Sequence, residues 1–267
     1  MVNMQRQLPK SSSSYGQHTY IVEQKEKKRL KNTLLFVLLF VACNVFLILF
    51  LRSSLFVIET IDIRGLEKVS SGEVKNAARI QEGMNLWKIS PPELRERVLS
   101  IPRVKTVEVD RVLPSTIVFK IEEKHPIALV SYHGYYLELA PDGTFIGLKD
   151  GYRGELPLIS GLLWGQMEVG TSIPDQTRGK IIEVFLAVLK ENPSLPLAEI
   201  NVENPQRIIV YTGEGMEVWL GSKEDLSKKL DVLQSIHNRL LQAGDEPFSG
   251  YLDLRVAETP VFKPFEK

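Results

Sequence analysis

The sequence has little of what would build a covalently held or metal-based site. Its single cysteine, Cys43, cannot close an intrachain disulfide or complete a cysteine-rich zinc site. Four histidines are present, and no two of them follow a metal-ligand spacing such as HExxH. Basic and acidic residues both number 33, so there is no chain-wide basic excess of the kind that marks a dedicated nucleic-acid binder. We therefore expect apolar cores to hold the fold, with no metal or other cofactor and no nucleic-acid partner.

Sequence motifs typical of common enzyme active sites are also missing. P-loop, G-x-S-x-G, H-x-E and S-x-x-K patterns do not occur in residues 53–267, which indicates a protein that is not an enzyme. The neighbouring carboxylates Glu122 and Glu123 point to opposite faces of a strand, so they are interpreted as a solvated face. The three tryptophans are expected to lie in cores. They are Trp87, Trp164 and Trp219.

A long apolar run stands at residues 34–51. Its eighteen residues carry no charge, and as a helix they span about 27 Å, enough to cross the hydrocarbon core of a bilayer. A cleaved signal peptide is the alternative, but the run exceeds the usual ~7 to 15 residues. The residues that follow, Arg52 to Leu55, also lack an A-x-A-like cleavage site. We predict an uncleaved transmembrane helix over 34–51.

Charge is distributed unevenly on the two sides of this run. Residues 1–33 carry seven basic and two acidic side chains, whereas residues 53–267 carry 25 basic and 31 acidic ones. The positive-inside rule therefore predicts a single-pass protein whose N-terminus is cytoplasmic and whose C-terminal part is extracytoplasmic. Residues 1–33 have few apolar side chains to offset their ordering entropy, so we predict a disordered basic tail that contacts anionic lipid headgroups.

Residues 56–125 follow the order strand, helix, helix, strand, strand. Ser70 and Glu73 form a capping box before the first helix, and Ser90 with Pro91 begins the second. The strand patterns lie at 56–64, 104–109 and 116–122, the last two as a hairpin. This order predicts a small α+β domain in which two helices cover one face of a three-stranded sheet.

Residues 126–258 predict a second α+β domain that is richer in strands. Its strand patterns lie at 128–130, 135–139, 144–146, 199–202, 207–211, 216–220 and 251–256. Amphipathic helices are predicted over 176–190 and after Ser222, with a leucine-rich stripe from Leu226 to Leu240 in the second. Residues 150–175 are rich in glycine and proline and are predicted to be connecting loops, and 259–267 are predicted to form a C-terminal tail.

Four segments of the sequence resemble segments of the bacterial cell-division proteins FtsQ and DivIB. They are FVIETIDIRGLEKVS (56–70), IPRVKTVEVDRVLPSTIVFKIEEKHPIAL (101–129), YLELAPDGTFI (136–146) and YLDLR (251–255). Residues 56–125 resemble the POTRA (polypeptide-transport-associated) domain of this family, with its β-α-α-β-β order, and the later residues resemble its β domain. The resemblance covers about residues 25–258. It implies a non-enzymatic, membrane-anchored scaffold that assembles and regulates septal cell-wall synthesis by binding other division proteins.

The resemblance also implies partners. These are the coiled-coil division proteins FtsL and FtsB or DivIC, with the septal peptidoglycan synthases contacted indirectly and lipid contacted through the anchor. The family binds its coiled-coil partners through the end of the β domain, which in this sequence contains the strand at 251–255.

The residues themselves leave two interpretations of this strand open. As an edge strand it would pair with an extended partner segment, with Tyr251 and Arg255 as anchors. As an interior strand it would hold a structural pair between Asp253 and Arg255. The resemblance favours the partner site, but Val256 stands where the family often has an aromatic residue, and Val261 with Phe262 is predicted to supply the missing anchor. The predicted partner-binding residues are Tyr251, Asp253, Arg255, Val256, Val261 and Phe262.

Two other classes of function compete with the scaffold. A membrane-anchored cell-wall enzyme is suggested by topology alone. A POTRA-bearing transport or envelope-assembly factor would need a barrel or further POTRA copies, and residues 127–267 are too short for a typical transport barrel.

Overall fold

The first element of the fold is one long helix. The computed structural model describes residues 14–162, 165, 167–243 and 250–265. Helix α1 covers Ser14–Leu51, and within the described residues its Arg29–Leu51 segment is the one helix long and apolar enough to cross a membrane, with an 18-residue window of mean hydropathy 3.1. The apolar side chains between Leu30 and Phe50 are exposed, as a lipid-facing helix requires.

Helix α1 begins well before the apolar run. Residues 14–33, which we expected to be disordered, are helical, so that prediction is wrong for them, while residues 1–13 lie outside the described residues. Residues 23–31 read EQKEKKRLK, which are mostly good helix formers. Because the membrane segment already supplies the costly first turn, each added residue extends the helix without a new nucleation step.

The first domain confirms the predicted β-α-α-β-β order. Its elements are β1 (Thr60–Arg64), α2 (Ser71–Ala78), α3 (Pro91–Leu99), β2 (Val104–Val112) and β3 (Thr116–Glu123), with two short 3-10 helices at Ser54–Phe56 and Leu86–Lys88. The sheet order is β1-β3-β2, with β1 parallel and β2 antiparallel to the central strand. The hydroxyl of Ser70 accepts from the Glu73 backbone N–H at 3.1 Å, which confirms the predicted N-cap of α2.

Helices α2 and α3 pack on one face of this sheet over a continuous apolar core. Its largest fully buried side chains are Ile58, Leu86, Ile117 and Phe119. At the C-terminal end of β3, the central strand, the loop after β1 passes over Glu123.

Glu123 is buried, with 4% of its surface exposed, so interpreting both carboxylates as solvated is wrong for this residue. Its carboxylate accepts hydrogen bonds from the backbone N–H groups of Glu67, Lys68 and Val69, at 2.7, 3.0 and 3.0 Å. Glu122, on the opposite face, is exposed and pairs with Lys105 at 2.6 Å. The loop after β1 thus folds around one carboxylate and leaves its neighbour in water.

The second domain is built on a nine-stranded sheet of order β12-β11-β10-β9-β8-β7-β4-β5-β6. Its strands are β4 (Ala128–Tyr132), β5 (Tyr135–Leu139), β6 (Phe145–Lys149), β7 (Leu158–Ser160), β8 (Leu197–Asn201), β9 (Ile208–Thr212), β10 (Glu217–Gly221), β11 (Gly250–Asp253) and β12 (Val261–Pro264). Its helices are α4 (Gln176–Glu191) and α5 (Leu226–Ala243). The α+β class of this domain is confirmed.

One face of this sheet is covered by α4 and α5, whose apolar stripes join the buried strand residues in a single core. Phe145 and Phe185 are its largest fully buried side chains. The other face of β9 and β10 is half-exposed, because buried and partly exposed residues alternate along both strands. Helix α5 begins at Leu226, one turn later than the cap predicted at Ser222.

Two strands of the second domain were not predicted from the sequence. Strand β7 lies inside the segment predicted to be loop, and strand β12 lies inside the predicted C-terminal tail. Both have four residues or fewer, and each is defined by its pairing: β7 with β4 and β8, which lie far from it in the sequence, and β12 with the preceding strand β11. Strand β12 therefore extends the second domain to Pro264.

Candidate partner-binding surface

Strand β11, the predicted partner-binding strand, lies inside the sheet and not at its edge. It is parallel to β10 on one side and antiparallel to β12 on the other. Of the two interpretations of residues 251–255, the edge strand, which the resemblance favoured, is therefore wrong, and the interior strand is right. The reason is that β12, which the sequence left in the tail, occupies the position next to β11.

The side chains of β11 alternate between the two faces. Leu252, and Leu254 just after the strand, are buried in the core under the helices, whereas Tyr251 and Asp253 lie on the half-exposed outer face. The structure thus brings the polar and aromatic side chains of the predicted set to one face of the sheet, beside β10.

An aromatic and cationic stack occupies this outer face. The rings of Tyr251 and Trp219 are stacked at 4.8 Å with an interplanar angle of 7°. The guanidinium of Arg255 stands 5.5 Å from the Trp219 ring centre, and the ammonium of Lys263 stands 5.9 Å from that of Tyr251. Both distances suit cation–π attraction. We call these four residues, Arg255, Trp219, Tyr251 and Lys263, the outer-face stack.

Asp253 and Arg255 form the structural pair of the second interpretation. The guanidinium donates to both carboxylate oxygens, at 3.0 Å from Nε and 2.6 Å from Nη2, and the Arg255 backbone N–H donates to the same side chain at 3.0 Å. The hydrogen bonds from Arg255 lower the pKa of Asp253, against a smaller opposing effect of burial. This bidentate geometry holds the arginine over the indole while leaving 60% of its side chain exposed.

The three apolar residues of the predicted site do not form one anchor. In the antiparallel register Val261 lies opposite Asp253, on the outer face, whereas Phe262 lies opposite Leu252, on the other face. Val256 follows β11 and is 57% exposed, close to the 56% of Val261. The predicted joint role of Val261 and Phe262 therefore divides between the two faces of one strand.

Strand β12 is the terminal strand of the sheet, and all four of its residues are exposed. Within the part of the chain that the structure describes, its strand partner is β11 alone. A groove of about 360 Å³ lies beside the stack, lined by Arg207, Ile209, Glu217, Trp219, Gly221 and Arg255. Edge strand, groove and stack together form a surface suited to an extended peptide.

Comparison with known proteins decides the family. The family model "Cell division protein FtsQ/DivIB, C-terminal" matches residues 121–255, and the model "POTRA domain, FtsQ-type" matches residues 56–124. The chain belongs to the FtsQ/DivIB family of cell division proteins. Its first domain is therefore a POTRA domain, its second is the family's C-terminal domain, here called the β domain, and the chain is a single-pass membrane protein.

Relatives match most of the chain. Cell division protein FtsQ of Geotalea daltonii is 29% identical over 195 residues, which cover 70% of this chain and 69% of that protein. Cell division protein DivIB of Clostridium botulinum is 22% identical over 247 residues, or 91% of this chain and 94% of that protein. A solved structure of the major extracytoplasmic domain of DivIB from Geobacillus stearothermophilus aligns with a TM-score of 0.31 and 21% identity, covering 44% of this chain and 97% of that one.

Trp219 is the residue of the β domain's outer face that sequence reasoning missed. It was expected in the core, but its strand neighbours Val218 and Leu220 are the buried ones, and Trp219 donates its indole N–H to Glu217 at 2.6 Å. The period-two alternation around it was the signal that could have placed it outside. The same expectation is wrong for Trp87, which is 40% exposed, while Trp164 lies outside the described residues.

Proposed function

We propose that this chain is a non-enzymatic scaffold that binds coiled-coil division proteins of the FtsL and FtsB or DivIC kind, and septal wall synthases through them. In this proposal the N-terminus is cytoplasmic, and the POTRA and β domains stand outside the cytoplasm at the division septum. The basic residues before the apolar run support that orientation, because positively charged flanks are retained in the cytoplasm.

One observation carries the binding proposal: the edge strand β12 stands directly beside the outer-face stack. An extended partner segment added to β12 would place alternate side chains beside Val261 and Lys263, the outer-face residues of β12, and Lys263 is the member of the stack at the edge. Tryptophan, tyrosine and arginine are the residue types that most often dominate binding energy at interfaces. The stack holds them in fixed positions before binding, so little side-chain entropy is lost when a partner arrives.

The six predicted partner-binding residues have different roles in this proposal, according to the face of the sheet on which each lies. Tyr251 and Arg255 supply the ring and the cation of the contact, and Asp253 positions the arginine. Val256 and Val261 supply exposed apolar contacts, while Phe262 contributes from the opposite face of the edge strand.

The test is a calorimetric titration of the full chain in lipid nanodiscs with the extracytoplasmic parts of an FtsL and FtsB or DivIC pair from the same source. We expect Arg255→Glu, and separately deletion of residues 260–267, to weaken binding about tenfold or more. Leu148→Glu is the matched control. Leu148 is about as exposed (59%) as the side chain of Arg255 (60%), but it lies on β6, at the opposite edge of the sheet. Equal affinity of all four proteins would refute the proposed surface.

A further inference from the structure

The POTRA domain is joined to the membrane helix without a flexible linker. Two residues, Arg52 and Ser53, separate the end of α1 from the 3-10 helix Ser54–Phe56. The side-chain amide of Asn85 donates to the carbonyl of Leu51, the last residue of α1, at 3.1 Å. Asn85 also forms a β-bridge with Val57. The domain is therefore held against the end of the helix by hydrogen bonds.

Aromatic contacts continue from the helix into the domain. The ring of Phe50, in the last turn of α1, meets Phe56 edge-on at 5.4 Å, and Phe56 meets Trp87 in the same way at 5.8 Å. Phe56 is buried, whereas 40% of Trp87 is exposed. Since Phe50 belongs to the apolar run, two ring contacts place Trp87 near the level where hydrocarbon meets lipid headgroups.

The tip of the β2–β3 hairpin lies at the same end of the domain. The backbone N–H of Glu59, just before β1, donates to the carbonyl of Ser115 at 2.9 Å. Strands β1 and β3 are parallel and start level, at Thr60 and Thr116, so the tip between β2 and β3 faces the helix end. The tip exposes Val112 and Leu113, by 49% and 56%.

Basic side chains surround these apolar ones. Arg52 and Lys88 are exposed, and the guanidinium of Arg111 stands 5.4 Å from the Trp87 ring centre while donating to the carbonyl of Ile89. An acidic side chain, Glu59, also lies here and accepts from the Ser115 hydroxyl at 3.3 Å. Among these four charged side chains, three are basic and one is acidic.

We propose that this end of the POTRA domain docks on the surface of the bilayer that α1 crosses. We call it the membrane-facing end: Leu55, Trp87, Val112 and Leu113, flanked by Arg52, Lys88 and Arg111. Leu55, 58% exposed, lies in the 3-10 helix directly after the anchor, so its surroundings are continuous with those of the apolar run.

The occupant of this surface is lipid, because ring contacts join Phe50 of the apolar run to Trp87, and the exposed Leu55 lies only four residues after the end of that run. Tryptophan at the headgroup level and basic side chains facing anionic lipid are what bilayer interfaces favour. Apolar side chains in such positions reach about 5 to 10 Å into the boundary between headgroups and acyl chains. Docking there fixes the tilt of the POTRA domain, and with it the orientation of the domain that follows.

The test is fluorescence quenching of the full chain in phosphatidylcholine–phosphatidylglycerol vesicles. Trp164→Phe with Trp219→Phe leaves Trp87 as the single reporter, and Trp87→Phe with Trp164→Phe leaves Trp219 as the matched control. We expect lipids brominated near the headgroup to quench Trp87 at least about twofold more strongly than Trp219, and aqueous acrylamide to show the reverse order. Equal quenching of the two reporters by both agents would overturn the proposal.

A second variant separates docking from simple proximity to the anchor. Val112→Asp with Leu113→Asp, in the Trp87 reporter, leaves intact the tether, meaning the Asn85–Leu51 hydrogen bond and the Phe50–Phe56–Trp87 ring contacts, but makes the hairpin tip unsuited to lipid. We expect bromolipid quenching of Trp87 to fall and acrylamide quenching to rise, with an unchanged far-ultraviolet circular dichroism spectrum. Quenching that does not change would show that Trp87 meets lipid through the tether alone and would contradict docking of the domain.

Discussion

Replacing the buried carboxylate of Glu123 tests how the POTRA domain is held together. The carboxylate accepts from three successive backbone N–H groups, those of Glu67, Lys68 and Val69, and only 4% of the residue is exposed. Glu123→Gln keeps the shape and an acceptor oxygen but removes the charge. Hydrogen bonds to charged groups contribute about 1.5 to 3 kcal/mol each and neutral ones about 0.5 to 1.5, a difference of about 1 kcal/mol per bond. The three bonds share one carboxylate and do not add fully, so we expect a total loss of about 2 kcal/mol.

Removing the side chain altogether costs more. Glu123→Ala leaves the three N–H groups without their acceptor, and we expect a loss of about 3 to 5 kcal/mol. In a domain of this size each kcal/mol lowers the melting temperature by about 4 to 8 °C. Glu122→Gln is the matched control: this neighbour lies in water on the opposite face, and we expect no measurable shift.

The pH dependence of the same variant gives a second check. Burial raises the pKa of Glu123, but the three backbone hydrogen bonds together outweigh it and hold the pKa below its ordinary value. A lowered folded-state pKa means that the carboxylate stabilises the fold above the ordinary glutamate pKa, near 4.5, and that this contribution is lost as the pH falls through the folded-state value. The difference between wild type and Glu123→Gln should therefore shrink in acid.

Thermal unfolding of the full chain in nanodiscs, followed by circular dichroism, measures these differences between pH 7 and pH 3. Amide hydrogen exchange at residues 67–69 reports the same contact locally, and we expect faster exchange there in both variants of Glu123. A Glu123→Gln protein as stable as wild type at neutral pH, with unchanged exchange at these three amides, would refute the reasoning.

Two further results are expected from thermal unfolding. A Cβ added at Gly65 would stand 2.0 Å from the carbonyl oxygen of Ile121, whereas one added at Gly83 would meet nothing within 4 Å, and both glycines have positive φ. Gly83→Ala should therefore lower the stability by about 1 to 2 kcal/mol through backbone strain alone, and Gly65→Ala should lower it clearly more. Equal losses of stability would contradict the close approach of Gly65, at the end of β1, to Ile121 in β3. Asp175 caps the start of α4, where its carboxylate accepts from two N–H groups of the first turn, both at 3.0 Å. Asp175→Ala removes this cap and should lower the stability of the β domain by about 1 to 2 kcal/mol. Asp175→Asn keeps an acceptor oxygen and should recover most of that loss.

Features fixed by neighbouring residues were predictable. The apolar run, the capping box at Ser70 and the alternation of apolar residues in β3 each depend on side chains within a few positions of one another. The element order of the POTRA domain follows from such local patterns, and the structure confirms it.

Features fixed by distant pairing were not predictable. Strand β7 has three residues, and its place in the sheet depends on β4 and β8, which lie far from it in the sequence. The alternation along β3 already places Glu123 on the same face as Ile117, Phe119 and Ile121. What no local pattern contains is the loop that returns over this end of β3 and supplies the N–H groups for its carboxylate.

The candidate partner-binding surface also combines features that local sequence predicts with features that depend on the tertiary structure. The sequence by itself determined that the chain has one membrane-crossing segment and two α+β domains, and that Tyr251, Asp253 and Arg255 share a face, because membrane length and side-chain periodicity are local properties. Only the tertiary structure decided that β12 covers β11, that Trp219 stacks on Tyr251, and that Trp87 stands at the end of the membrane helix. The physical reason is that a strand's position in a sheet and a side chain's neighbours across it are set by hydrogen bonds and packing between distant segments, which no short stretch of sequence contains.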